Sequence, residues 1–132
     1  SHTHETDIAV LKQLASILNF GRVTIMSPQE HDELIGFTSQ LTHLLAVSLV
    51  NSDTMPHTKD ATGDSYRDLT RIAKINETMW SELFLENKGP LLNNIDLFLN
   101  ELYKIKKMIE VDDFTALKKY LKQAKEKRKT FD

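Results

Sequence analysis

Asp32, Gly36, Ser39 and His43 follow one another at spacings of four, three and four residues, so on an α-helix they share one face. The rest of that stretch is Leu34, Ile35, Phe37, Leu41, Leu44, Leu45, Val47, Leu49 and Val50. A helix this apolar has to be buried on most sides. A buried carboxylate, hydroxyl or imidazole costs free energy unless something pairs with it. The stripe therefore calls for a partner, either other polar side chains or a polar ligand. His43 and Ser39 can hydrogen-bond a ligand, and Asp32 can orient a histidine or a backbone amide; His31 points off the stripe. The competing reading is a satisfied polar network that only fixes helix packing, and taken singly each residue favours it.

A second group is cationic. Arg71 lies in Asp68-Leu69-Thr70-Arg71-Ile72, with Arg67 one turn before it. A guanidinium binds carboxylates through two parallel hydrogen bonds, so the segment suits an anionic ligand. Against this stands a salt bridge from Arg71 to Asp68, Glu77 or Asp32. Trp80 reads as core before it reads as a ligand contact. No metal site is expected, because His31, Asp32 and His43 lack a familiar ligand spacing. Ser39 has no glycines around it that would make a nucleophile elbow.

The elements that must position these residues are helical. Ile8, Leu11, Leu14, Ala15 and Leu18 predict an amphipathic helix from about Glu5 to Asn19, stopped by Gly21. Arg22 to Met26 reads as a short strand with no sheet to join. Ser27-Pro28-Gln29-Glu30 is a helix start with a capping box, and the helix can run to Asn51. Ser52 to Thr62 is polar and aperiodic, hence a loop. A short helical segment covers Tyr66 to Ala73. Asn76 caps a helix reaching about Asn87, with Met79, Trp80, Leu83 and Phe84 inward. Gly89-Pro90 reads as a break. Leu91, Ile95, Phe98, Leu102, Ile105 and Ile109 then form a heptad-like seam. Asp112 or Asp113 starts a last helix with Phe114, Leu117, Leu121 and Ala124 inside and a lysine-rich end. The expected fold is all-α, a helical bundle around a long central helix. Its apolar surface exceeds what one core of this size needs, which points to an interlocked homodimer.

Composition narrows the classes. The 132 residues carry a net charge of -2, so there is no global electrostatic case for nucleic acid or membrane. No apolar run is expected to reach transmembrane length. Absence of cysteine excludes disulfides, thiolate metal sites and cysteine catalysis, and fits a reducing cytoplasm. The four glycines, Gly21, Gly36, Gly63 and Gly89, form no phosphate-binding loop. The chain reads as a piece of something longer.

Met26-Ser27-Pro28-Gln29-Glu30-His31-Asp32, then Phe37-Thr38-Ser39-Gln40-Leu41-Thr42-His43-Leu44-Leu45-Ala46, resembles the prephenate dehydrogenase family. So do Gly63-Asp64-Ser65-Tyr66-Arg67-Asp68-Leu69-Thr70-Arg71-Ile72-Ala73, Met79-Trp80 and Phe84-Leu85-Glu86-Asn87, in the family's order and spacing. The resemblance covers roughly Gly21 to Ile109. It implies the C-terminal helical domain over residues 27–132, preceded in residues 1–26 by the last helix and strand of a nucleotide-binding domain. The implied reaction is NAD-dependent oxidative decarboxylation of prephenate to 4-hydroxyphenylpyruvate, on the route to tyrosine, with NAD and the catalytic histidine held by the domain not present here. By the same resemblance Arg71 is the substrate-carboxylate arginine and His43 lines the substrate and tyrosine pocket. Ser39, Gln40, Arg67, Asp68 and Trp80 lie around that pocket, His31 and Asp32 mark the domain junction, and the helical domains interlock as a dimer.

Two departures stand out. Many members read Ser-His-Leu-Pro-His where this chain has Ser39-Gln40-Leu41-Thr42-His43, so no charge can sit at residue 40. Asp64-Ser65 replaces common glycines and adds an acid that Arg67 could neutralise. Arogenate remains an alternative substrate. A non-catalytic oligomerisation module is a reading from another class, and a helical chorismate mutase a third that would need more converging cations than Arg67 and Arg71.

Overall fold

Ser27 opens the first described helix by the exchange its sequence predicts. Its backbone N–H donates to Glu30 Oε2 at 2.8 Å, and the Glu30 N–H donates to Ser27 Oγ at 3.1 Å. These two bonds satisfy donors that a helix start otherwise leaves bare. The computed structural model describes residues 25–132 together with Ile8. The predicted helix over Glu5 to Asn19 therefore lies, apart from helical Ile8, outside the described residues. Of the predicted strand only Ile25 and Met26 are described, and neither is extended into a sheet. The described chain is all-α.

The elements are α1 (Pro28–Ile35), a π-helical turn (Gly36–Leu41), α2 (Thr42–Asn51), a 3-10 turn (Thr58–Asp60), α3 (Asp64–Thr70), a second 3-10 turn (Arg71–Ala73), α4 (Glu77–Glu86), α5 (Lys88–Glu110) and α6 (Phe114–Lys129). Two compact units divide the chain, Ser1–Asp32 and Glu33–Asp132. Within the second, the π-turn packs on α5, α2 on α3 and on the turn that follows it, and α6 on α5.

Side-chain caps set several boundaries. Asn76 accepts from the Met79 N–H at 3.0 Å and starts α4. Asp113 accepts from the Ala116 N–H at 3.0 Å and starts α6. Asp112 instead ends α5: it adopts a left-handed φ of 55°. Around it the Asp113 N–H reaches Met108 O at 2.9 Å and the Asp112 N–H reaches Ile109 O at 3.2 Å, the paired bonds that close a helix C-terminus. Tyr120 of α6 then donates to Glu101 Oε2 on α5 at 2.8 Å. Lys104, which donates to Glu101 Oε1 at 2.8 Å, and then the Tyr120 bond hold the Glu101 pKa below its ordinary value.

Three sequence expectations need correction. Gly89-Pro90 does not break the chain; both lie in the first turn of α5, where proline's missing N–H would have had no helical partner. The chain breaks one step earlier, at Asn87. Phe114, Leu121 and Ala124 are not inside: Phe114 is 75% and Leu121 53% exposed, and Ala124 is exposed too. The α5 seam, expected to meet a second copy, is a different case: in one chain Leu91 is buried while Leu102 and Ile109 are exposed. Finally, the helix Pro28–Asn51 is 24 residues long and by length and composition apolar enough to cross a membrane. Its acids, Glu30, Asp32 and Glu33, all sit at its start and leave Leu34 to Asn51 without a charge. A helix packed in a protein core has the same composition.

Gly36 is where the long helix touches α5 most closely. A Cβ at this position would lie 2.8 Å from Asn94 Nδ2 and 3.3 Å from Asn87 Nδ2. Both amides are engaged, Asn94 with Glu33 O at 3.2 Å and Asn87 with Gln40 Oε1 at 2.8 Å. One methyl group would displace two hydrogen bonds at once. Gly36→Ala should therefore lower stability by about 1–3 kcal/mol, although alanine is the better helix former. Thermal melting checks this, and an unchanged midpoint would mean that the two amides swing aside freely.

Candidate functional site

The π-turn decides where His43 points. Its wider backbone departs from the regular helical hydrogen-bond ladder. Ser39 O accepts the N–H of Thr42 and also the ring of His43, with Nδ1 at 2.8 Å. Since a carbonyl only accepts, Nδ1 carries the proton and Nε2 keeps its lone pair in the neutral ring. Sequence spacing put Ser39 and His43 on one face; the structure joins them through the backbone of one and the ring of the other.

His43 lies flat against Trp80 of α4, with ring centroids 3.9 Å apart and planes 22° from parallel. Trp80 meets Phe84 at 5.7 Å and 59°. The three rings form a half-buried aromatic platform bridging α2 and α4, and such ring pairs contribute beyond the area they bury.

Gln40 is only 6% exposed. Its Nε2 donates to Leu83 O at 3.4 Å, and its Oε1 accepts from Asn87 Nδ2 at 2.8 Å. Both ends of the amide are thus engaged by the α4–α5 junction. Asn87 is the residue that sequence reasoning missed. Its signal was its place between the end of α4 and the Gly89-Pro90 pair, which was read as a break.

Arg71 is exposed and stands on the 3-10 turn that packs against α2. Among the described residues, none of the ion pairs includes Arg71. The salt bridges to Asp68, Glu77 or Asp32 considered from sequence are not formed. Arg67 is exposed as well, and its Nε donates to Thr62 Oγ1 at 2.9 Å rather than pairing with Asp64. Asp64 sits in the first turn of α3, where the helix dipole favours an acid without help from Arg67. Asp68 is exposed on α3. His31 and Asp32 belong to the first unit, with His31 Nδ1 3.7 Å from Asp32 Oδ1 and both side chains open to solvent. So the structure gathers Ser39, His43 and Trp80, turns Gln40 toward the helix junction, and sets a cationic turn on the same helix as His43.

An open cavity of about 510 Å³ lies against α2, lined by Leu45, Leu49, Leu69, Phe98 and Leu102 with Ser48 and Ser52. It is almost wholly apolar and holds none of the candidate polar residues.

The comparisons with known proteins fit this arrangement. The family described as prephenate dehydrogenase, dimerization domain, matches residues 27–123. The chain belongs to that family. A prephenate dehydrogenase of Bacillus subtilis is 33% identical over 94% of this chain and 35% of its own length. A cyclohexadienyl dehydrogenase of Zymomonas mobilis is 31% identical over 82% of this chain and 39% of its own. The crystal structure of prephenate dehydrogenase from A. aeolicus, in complex with hydroxyphenyl propionate and NAD+, superposes with a TM-score of 0.81 at 32% identity. It covers 97% of this chain and 46% of that one. The chain thus spans between about a third and a half of these relatives.

Trp80 is the only tryptophan, so its emission reports the platform alone. His43→Leu removes the ring stacked on the indole, so the Trp80 emission should shift while the helical circular dichroism stays the same. An unchanged emission spectrum in the folded variant would contradict the stacked geometry.

Proposed function

We propose that this chain is the substrate-holding, dimer-forming half of an NAD-dependent dehydrogenase. The parent enzyme oxidatively decarboxylates prephenate to 4-hydroxyphenylpyruvate on the route to tyrosine. The observation that carries this reading is Arg71: an exposed guanidinium with no ion pair among the described residues, on a turn packed against the helix that presents His43. A cation with no counter-ion among the described residues, on a turn packed against the helix that carries His43, suits an anionic ring compound, and prephenate carries two carboxylates. Family membership supports the substrate class, as does hydroxyphenyl propionate, a phenol with a carboxylate, in the A. aeolicus structure.

In this assignment Arg71 takes a substrate carboxylate in bidentate fashion, and Arg67 adds positive potential nearby. His43 and Ser39 offer hydrogen bonds, Trp80 offers a flat apolar wall, and Gln40 and Asp68 flank the pocket. Tyrosine, which shares the carboxylate and the phenol ring, fits the same groups. Residues 1–26 end a nucleotide-binding domain, residues 27–132 form the helical domain, and His31 and Asp32 stand at the junction. NAD supplies the hydride acceptor when bound. The residues present here do not fit it, since Gly21, Gly36, Gly63 and Gly89 are too far apart to form a phosphate loop. This chain alone is accordingly inactive, and we assign the active form to a cytoplasmic homodimer.

In the full-length enzyme Arg71→Ala should raise the KM for prephenate and leave that for NAD nearly unchanged. The loss in kcat/KM corresponds to about 1.5–3 kcal/mol for one charge-assisted contact, roughly ten- to a hundredfold or somewhat more. Arg71→Lys should recover only part, because an ammonium lacks the planar fork. Thermal stability should barely move, since the side chain has no ion pair to lose. A variant that melts earlier yet handles prephenate normally would defeat the assignment.

A further inference from the structure

Gln40 stands in the pocket motif but its amide is spent inside the protein, and this combination leads beyond the reading above. Three observations converge on the π-turn. Gln40 bridges Leu83 O and Asn87 Nδ2. Gly36 lets the Asn87 and Asn94 amides approach the helix where any Cβ would collide with them. Ser39 O, on the same widened turn, receives the His43 ring. A π-turn is less stable than the regular helix it interrupts and persists where surrounding contacts hold it. Leu83 and Asn87 belong to the end of α4, the helix that also carries Trp80 and Phe84. The clamp therefore joins the element bearing His43 to the element bearing the ring it stacks on.

We propose that Gln40 and Asn87 are positioning residues: by locking the π-turn to the end of α4 they hold His43 on Trp80 in one tautomer, with the proton on Nδ1 and the lone pair on Nε2. The role of the platform in substrate binding rests on the function proposed above; the clamp itself does not. Relaxation of the turn to a regular helix would move the His43 ring relative to both Ser39 O and Trp80. The Nδ1 bond would then lose its fixed geometry, and both tautomers would become accessible. A neutral glutamine serves this purpose in a way a histidine cannot, since it donates and accepts from one planar group whatever the pH.

The test uses the 132-residue chain labelled with nitrogen-15, with the His43 tautomer read from its ring nitrogen shifts by NMR above the pH of imidazole protonation. Gln40→Met keeps the volume and removes both hydrogen bonds. It should lower the ratio of the Nδ1–H to the Nε2–H form by about 2- to 12-fold, the worth of one ordinary hydrogen bond. Trp80 emission should shift with it. Asn87→Ser, at a half-buried position, should act in the same direction. A folded Gln40→Met chain with an unchanged tautomer ratio would overturn the proposal. So would loss of fold in both Gln40→Met and Asn87→Ser, which would make the pair structural. Neither result depends on the ligand, whereas a failed Arg71 experiment with an intact clamp would overturn the substrate assignment alone.

Discussion

Among the described residues too little apolar surface is buried within one chain, and the rest of the architecture answers to that constraint. Leu41, Ala46 and Leu91 are the buried apolar residues among those described, and no large side chain is fully enclosed. Leu97, Tyr103, Ile109, Phe114 and Leu121 are exposed along α5 and α6, and Leu34, Phe37 and Val50 along the long helix. Each such side chain left in water forgoes roughly 1.5–3 kcal/mol of burial. A small domain has little to spare when net stabilities are only about 5–15 kcal/mol. The apolar stretch Leu34 to Asn51 and the outer faces of α5 and α6 make sense together if a second copy of the chain covers them. The family's description as a dimerization domain accords with this.

Against that extended apolar surface stands a region of closely fitted polar contacts, the meeting of the π-turn with the α4–α5 junction. Gly36, Gln40, Asn87 and Asn94 place a helix backbone and two carboxamides within van der Waals and hydrogen-bonding range. Hydrogen bonds are directional where apolar contacts are not, so this is where a loosely buried chain gains a defined geometry. The aromatic platform lies beside it through Leu83 and Phe84, and Ser39 and His43 lie on and just after the turn itself. Arg71 is held differently, by a short turn packed on α2, and stays open to solvent.

Local chemistry was legible in the sequence. Ser27 with Glu30, Asn76 and Asp113 announced their caps because an N-cap needs only residues three apart. The long helix and the α5 seam were legible from period, and the family from motif order. The π-turn was not, since an inserted backbone step leaves no mark in composition. The stripe through Gly36, Ser39 and His43 was read on regular helical spacing, yet Gly36 turned out to be a point of close approach and not a polar position. Gly89-Pro90 misled because the same pair that ends a helix can also begin one. Phe114 and Leu121 show their apolar character by period, but period does not tell whether the same chain covers them, and within one chain they are exposed. The stacking of His43 on Trp80 and the clasp of Gln40 by Asn87 join residues far apart in sequence, which spacing does not reveal.

The account stands or falls on whether a second copy covers what one chain leaves open. Sedimentation equilibrium of the purified chain at micromolar concentration reads this directly. The prediction is a mass twice the 15.2 kDa of one chain, with a melting temperature that rises with protein concentration, as linked folding and association require. Leu102→Lys, which puts a charge into the α5 seam, should lower the mass toward one chain or unfold the protein. A folded single-chain mass across that range, with melting independent of concentration, would contradict it.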